Sequence, residues 1–407
     1  MTFSSQLGGD PPRVIVQLLE GGAASGAIGP DVAVARLRKA GEQLPISDVC
    51  LGWGLPMALV EAVAGEAERQ GAALWLWHPL LSGDGRYMPG ADRAIGCAGA
   101  PLDAPGGMGE FTFDCPVRPG ALEAALERLD EAAARHPWHG IFLDKIRWPS
   151  PSRDPSADLA CFCDACHVAA AREGIDLEAI SAWLAHAAAS PGGRISLVTA
   201  LLQGGEDERL DHFLAWRSQR ITASVEAAAD HIGAHHGPGG QATLVALDVF
   251  APALARAVGQ DIGVLSRRAD FVKGMLYLGT HGPAGMPYEL CRLARWLEAG
   301  GVADPAASLS VLLGAPLPSM DDLCRGSLQT VVFEAQLDDL RRLAGPGAAA
   351  GIDAVAIDGL AVLPEAGLEE VVGEAARTGV PVVLSWDLMA IPGDRLARLA
   401  ARLSRAA

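Results

Sequence analysis

The sequence predicts an α/β fold, a (β/α)8 TIM barrel. Three observations lead there. Short apolar or β-branched runs alternate with long alanine- and leucine-rich helical stretches, the pattern of a parallel sheet with crossover helices. The 407 residues exceed the roughly 250 that a barrel needs. No G-x-G-x-x-G turn follows any of the runs and no G-x-x-x-x-G-K-[ST] loop occurs, which argues against an open doubly wound nucleotide-binding sheet.

Taken in order, the candidate strands are RVIVQLL (13–19), DVCLGWG (48–54), AALWLWHP (72–79), GIFLDKIRW (140–148) and ATLVALDVF (242–250). DFVKGMLY (270–277), SLSVLLG (308–314), DAVAIDG (353–359) and PVVLSWDL (381–388) complete the series. Amphipathic runs such as PGALEAALERLDEAAARH and DDLCRGSLQTVVFEAQLDDLRRLA lie between them. Nine candidates compete for eight places, so one run lies outside the barrel or is misread. The expectation is a single barrel domain over 1–407, with long insertions at about 82–115 and 149–212. Both follow strand C-termini, the face on which barrel enzymes carry their chemistry.

Half of the residues are apolar, enough for a large core, and 32 basic against 49 acidic residues give a net charge of -17. No Lys/Arg cluster interrupts the acidic background, which argues against nucleic acid and anionic membranes as partners. The N-terminus lacks a basic region followed by an apolar one, and runs such as AALWLW are too short to span a bilayer. A cytoplasmic protein with no organic cofactor is expected, and its apolar content leaves a homo-oligomer open.

In a barrel, a polar side chain at a strand's C-terminal end faces the site. Glu20, Trp53, Trp77, His78, Asp144, Arg147, Asp248, Tyr277, Asp358, Trp386 and Asp387 hold such positions. Asp144 and Asp248 close neighbouring strands and are the candidate catalytic pair. Glycosidic cleavage needs two carboxyl groups, one to protonate the leaving oxygen and one to attack or to activate water. Trp53, Trp77, Trp148 and Trp386 offer flat faces for sugar rings. Arg147, His78, Tyr277, Asp358 and Asp387 are the remaining substrate-binding candidates. The competing reading of each strand-end acid is that it caps the next helix. Asp144 and Arg147, three apart, reach one site only if the chain bends near Ile146.

Of eight cysteines, Cys50, Cys97, Cys291 and Cys324 stand singly and read as packing residues. Cys161, Cys163 and Cys166 form a C-x-C-x-x-C cluster, a spacing that suits a structural zinc. Cys115 is the preferred fourth ligand, with Cys97 and His167 as alternatives, and buried thiols without a metal are the competing reading. Four thiolates leave zinc no open position for catalysis.

FDCPVRPG, GIFLDKIRWPS and CFCDACH, in that order, resemble features of a family of glycoside hydrolases built on (β/α)8 barrels. Zinc-containing β-galactosidases show a related spacing, with one cysteine some forty-odd residues before a C-x-C-x-x-C cluster; here Cys115 and Cys161 are 46 apart (161 minus 115). The stretch LDVFAPALARAVGQDIGVLSRRADFVKGMLY and the late LSWDL are similar to the same hydrolases. The resemblance is strongest over about 110–290. It implies a carbohydrate-active enzyme with a glycoside substrate, Asp144 and Arg147 matching a D-x-x-R strand end and Asp248 the next acidic one. The β-galactosidases use glutamates on the fourth and seventh strands, whereas this chain has Asp144 on the fourth and no acid in SLSVLLGAP. Their catalytic pair therefore does not transfer. Glu289 and Glu334 are weaker candidates, and a barrel that binds a sugar or other small polar ligand without cleaving it is the alternative function.

Overall fold

A computed structural model describes residues 13–20, 27–84, 87, 89–90 and 92–405. Eight parallel strands close into a barrel in sequence order. They are β1 (Val14–Leu18), β2 (Ile46–Leu51), β3 (Ala73–Pro79), β4 (Gly140–Asp144), β5 (Leu244–Phe250), β6 (Phe271–Met275), β7 (Ala348–Asp353) and β8 (Val382–Ser385). β1 pairs with both β2 and β8, which leaves no edge exposed.

Alternation divides each strand between two packing environments. The inward set includes Ile15, Cys50, Trp75, Phe142, Ala246, Phe271, Ala349 and Val383. Large rings meet small residues there: Trp75 packs edge-on against Phe271 at 5.0 Å between centroids, and Ala246 and Ala349 leave the room. Gly140 is part of the same fit, because a Cβ on it would lie 2.2 Å from the Trp75 ring. The outward aliphatic residues pack against the surrounding helices as a second, larger core.

The run SLSVLLG is a helix, not a strand: Pro305–Leu313 covers it, with Asp304 accepting a hydrogen bond from Ala307 N as N-cap and Gly314 closing it at φ +64°. Proline in the first turn suits that assignment, and Val311, its β-branched residue, is 78% exposed. The seventh strand is instead AAAGID, a run of small residues that overlaps DAVAIDG only at Asp353.

Between β3 and β4 the chain makes short 3-10 turns and then the helix Ala121–Ala133. Between β4 and β5 it forms four shorter helices before the long helix Glu208–Gly233. Bridges Ser82–Phe113 and Arg93–Asp114 fold the first excursion on itself, and Gly96–Ala160 ties it to the second. No helix among the described residues is long and apolar enough to cross a membrane.

Cys291 and Cys324 are joined in a disulfide across 33 residues, which corrects the reading of both as single packing thiols. The bond ties the helix Met286–Ala299 to the segment after Met320–Leu323. In a chain-entropy account, closing a loop of this length stabilises the fold by roughly 3–4 kcal/mol. A Cys291→Ser, Cys324→Ser double variant should therefore unfold at lower denaturant than the oxidised wild type and alongside the reduced one. Coincidence of all three unfolding curves would show that the bond contributes nothing.

Candidate functional site

The C-terminal ends of the strands surround a cavity of about 200 Å3, more than ten times the roughly 10–15 Å3 that one water needs. Glu20, Trp77, Asp144, Lys145, Arg147, Asp248, Tyr277 and Trp386 line it, together with Glu110 and Phe111 from the β3–β4 excursion. The two aspartates chosen from the sequence thus share one mouth.

Asp144 ends β4 two residues after the inward Phe142, so parity alone turns it into the cavity. Its Oδ2 accepts from Trp77 Nε1 at 3.1 Å, and its Oδ1 accepts from the Lys145 amide. Donors to both oxygens fix the orientation of the carboxylate. Lys145 has φ +54°, and this left-handed residue supplies the bend that brings Arg147 back to the cavity. The Arg147 guanidinium lies over the Phe113 and Phe250 rings, 4.4 and 4.7 Å from their centroids, and donates to Trp148 O at 3.2 Å. Burial pushes its pKa down to about 10.

Asp248 is less free. Its Oδ2 accepts from Lys273 Nζ at 2.9 Å, and the same ammonium donates to Gln17 Oε1 at 2.8 Å and Tyr277 Oη at 2.7 Å. Three acceptors use all three ammonium protons. Burial opposes the charge on Lys273, but Asp248 and Tyr277 outweigh it and hold the ammonium above its ordinary range. Asp248 Oδ1 is buried and has no partner among the described residues. Burial lifts Asp248 to about 7 against the opposing pull of Lys273. Glu20 is also lifted to about 7 by burial, again with a nearby lysine, Lys145, pulling the other way. Folding raises both carboxyl groups, so the stability linked to their protonation is complete at low pH and is lost as pH rises through about 7.

Several sequence candidates have other duties. Trp53 is buried against Trp77, edge-on at 5.3 Å, and donates to Asp84 O, so it buttresses the cavity wall without lining it. His78 points away from Trp77 by strand parity and is buried with no hydrogen-bond partner among the described residues, its pKa pushed down to about 4 by burial. Trp148 is fully buried, donating to Arg217 O at 3.2 Å, because Gly259 leaves space for its ring. Asp358 is exposed on a turn, five residues past the end of β7 (358 minus 353). Asp387 accepts from Leu19 N and Met389 N, both at 3.0 Å, which is the capping role. Glu289 accepts from Ala284 N at 3.0 Å and from Ser150 Oγ, holding a loop, and Glu334 is exposed. Gln17, Lys145 and Glu110 in the cavity lining, and Lys273 buried behind Asp248, are the groups that sequence reasoning missed.

No family model matches the chain, and no curated sequence matches it. Solved structures do. The PgaB (BpsB) glycoside hydrolase domain from Bordetella bronchiseptica is 14% identical, with a TM-score of 0.55 over 96% of this chain and 98% of that one. The catalytic domain of β-amylase from Paenibacillus polymyxa is 10% identical, with a TM-score of 0.52 over 97% and 98%. The chain shares the barrel fold of these domains. α-L-Fucosidase isoenzyme 2 from Paenibacillus thiaminolyticus is also similar, at 10% identity and a TM-score of 0.50, over 96% of this chain and 49% of that one. At these identities the likeness is one of fold.

Beside the cavity lies a second constellation. The Sγ atoms of Cys115, Cys161, Cys163 and Cys166 are buried and all within 4.8 Å of one another. Cys115 Sγ is 3.4 Å from Cys166 Sγ and 3.8 Å from Cys163 Sγ. A tetrahedron of sulfurs at about 2.3 Å from one ion has edges of about 3.8 Å, so the donor set fits a four-coordinate metal. Cys97 instead faces Ser181, and His167 faces Glu178, which leaves Cys115 as the fourth sulfur. The Ile95 amide donates to Cys161 Sγ at 3.3 Å, the kind of support that orients a ligand.

Proposed function

We propose that this protein is a glycoside hydrolase, with Asp144 as the ionised carboxylate and Asp248 as the group that protonates the leaving oxygen. The observation that carries the reading is the cavity itself, in which a doubly hydrogen-bonded carboxylate and a carboxyl lifted to about 7 share one wall system. Asp248 Oδ2 rests on Lys273, which leaves the unpartnered Oδ1 as the oxygen to carry the proton. Trp77 and Trp386 supply ring faces for a sugar, and Tyr277, tethered to Lys273, presents its phenol to the same space. Glu20 offers a second route to the proton, since no carboxylate bond holds it among the described residues and it too is lifted to about 7.

A panel of nitrophenyl glycosides assayed with wild type, Asp144→Asn, Asp248→Asn and Glu20→Gln tests the assignment. Loss on Glu20→Gln with Asp248→Asn near wild type moves the proton-donor role to Glu20. Sugar binding without turnover of any glycoside points to the non-hydrolytic barrel, a reading that the Asp248–Lys273 ion pair favours. The hydrolase reading also fixes the pH dependence. A donor lifted to about 7 must hold its proton, so kcat/KM should fall as pH rises through about 7. A profile still rising above pH 8 would remove a carboxyl donor.

The four-cysteine cluster is proposed to hold a structural zinc, supported by its sulfur-only donors and by burial that leaves no open position. Zinc bound there would add cross-linking, not catalysis.

A further inference from the structure

We infer that the substrate is an anionic saccharide, and that Lys145 and Arg147 receive its negatively charged group. The inference rests on the glycoside-binding reading of the cavity and names the class of sugar. Both cations are buried, at 3% and 4% exposure, and both line the cavity beside Asp144. Lys145 Nζ has no hydrogen-bond partner among the described residues; it stands 4.9 Å from the Trp53 ring centroid and 4.7 Å from that of Phe111. Arg147 is in contact with two phenylalanine rings and spends a single described bond, to a backbone carbonyl. Ring faces attract a cation but accept none of its protons strongly. A dry ammonium and a guanidinium with idle donors therefore call for oxygen acceptors, and an incoming carboxylate or phosphate supplies them with the matching charge.

Two other buried cations, Lys273 and Arg395, show the contrast. Lys273 fills three acceptors, and Arg395 bonds three carbonyls and Glu365. The acids facing the same space are Glu20, Glu110, Asp144 and Asp248. None of them forms an ion pair within 4 Å of Lys145 or Arg147, and Asp248 is committed to Lys273. The positive side of the cavity is thus left for a ligand. Free guanidinium protons suit a bidentate oxyanion, whether a uronic acid carboxylate or a sugar phosphate.

The test uses the full chain and two readouts. Equilibrium binding is measured for glucuronate, galacturonate and glucose 6-phosphate against glucose and galactose, and kcat/KM is measured for the nitrophenyl uronides against their neutral parents. The expected result is a preference of about tenfold or more for the acidic members, the effect of one good charge-assisted contact. That preference should weaken with salt and shrink below about threefold in Lys145→Met and Arg147→Met, with Arg147→Lys restoring part of it. The uronate and phosphate arms tell which oxyanion is recognised. Equal binding of acidic and neutral sugars, or binding of neither, overturns the inference even if neutral glycosides are cleaved. Preferential binding of the acidic sugars with no cleavage leaves it standing while the hydrolase reading falls.

Discussion

Replacing Asp144 with Asn is expected to lower kcat/KM by about a thousandfold, within the roughly 10^2–10^4 that a positioned proton-transfer or nucleophilic carboxylate contributes. A thousandfold corresponds to about 4 kcal/mol of transition-state stabilisation. The substitution is nearly isosteric and Asp144 has no lysine or arginine within ion-pair distance among the described residues, so it strands no buried charge. The amide oxygen can still accept from Trp77 Nε1, but the new NH2 then meets the Lys145 amide that Oδ1 accepted from, so a loss of about 1–3 kcal/mol in stability is expected. Asp248→Asn is a harsher change. It removes the carboxylate that Lys273 holds in the barrel interior, and breaking a buried pair from one side costs roughly 3–5 kcal/mol. A loss of activity in either variant is therefore read beside its unfolding curve, with the larger destabilisation expected for Asp248→Asn. Turnover by Asp144→Asn within about tenfold of wild type would remove Asp144 from the chemistry.

Parity made Asp144 and Asp248 legible in the sequence: each ends an apolar run, and register then turns the side chain inward. The same rule carried a signal for Lys273 that is easy to overlook. In DFVKGMLY, Phe271, Lys273 and Met275 share one parity, and Phe271 is an obvious interior ring. A charged residue inside a strand reads as outward-facing unless the interior offers it partners, and two of its three, Gln17 and Asp248, come from other strands. β7 was illegible for a related reason. A Cβ on Gly351 would lie 2.5 Å from Lys273 Cε, so the long lysine needs a strand of small residues beside it. AAAGID carries no β-branched residue until Ile352, and propensity passes over it. SLSVLLG failed in the opposite direction, its apolar content suiting a strand and its Asp-Pro start and Gly stop deciding for a helix. Glu110 lies in a loop, where no periodicity announces a direction, and tryptophans such as Trp148 were placed at the site by residue type alone.

The cysteine cluster carries the other large effect. Cys163→Ser should abolish tight zinc binding and destabilise the protein by on the order of 5 kcal/mol, less than the roughly 10–16 kcal/mol apparent zinc affinity of small structural sites. The reduction is expected because a three-sulfur site, and cysteines of the unfolded chain, retain part of the affinity. The surroundings favour a charged cluster. Arg217 is fully buried next to the sulfurs, bonded to the carbonyls of Ala160 and Ala257, and Cys161 and Cys166 work against the burial that pushes its pKa down to about 9. Four thiolates around a divalent ion leave two negative charges, which a buried guanidinium offsets; four neutral thiols would leave that guanidinium without a counter-charge. The effect should also reach the cavity. Cys115 follows Glu110, Phe111 and Phe113 by a few residues, and Cys161 is bonded to Ile95 in the same excursion, so the cluster fixes the loop that faces the substrate. Losing the metal should therefore raise KM more than it lowers kcat in whatever fraction stays folded. Metal content and thermal unfolding measured on one preparation decide the matter: fewer than about half an equivalent of zinc per chain, or an unfolding temperature indifferent to chelation, would reduce the four sulfurs to buried thiols.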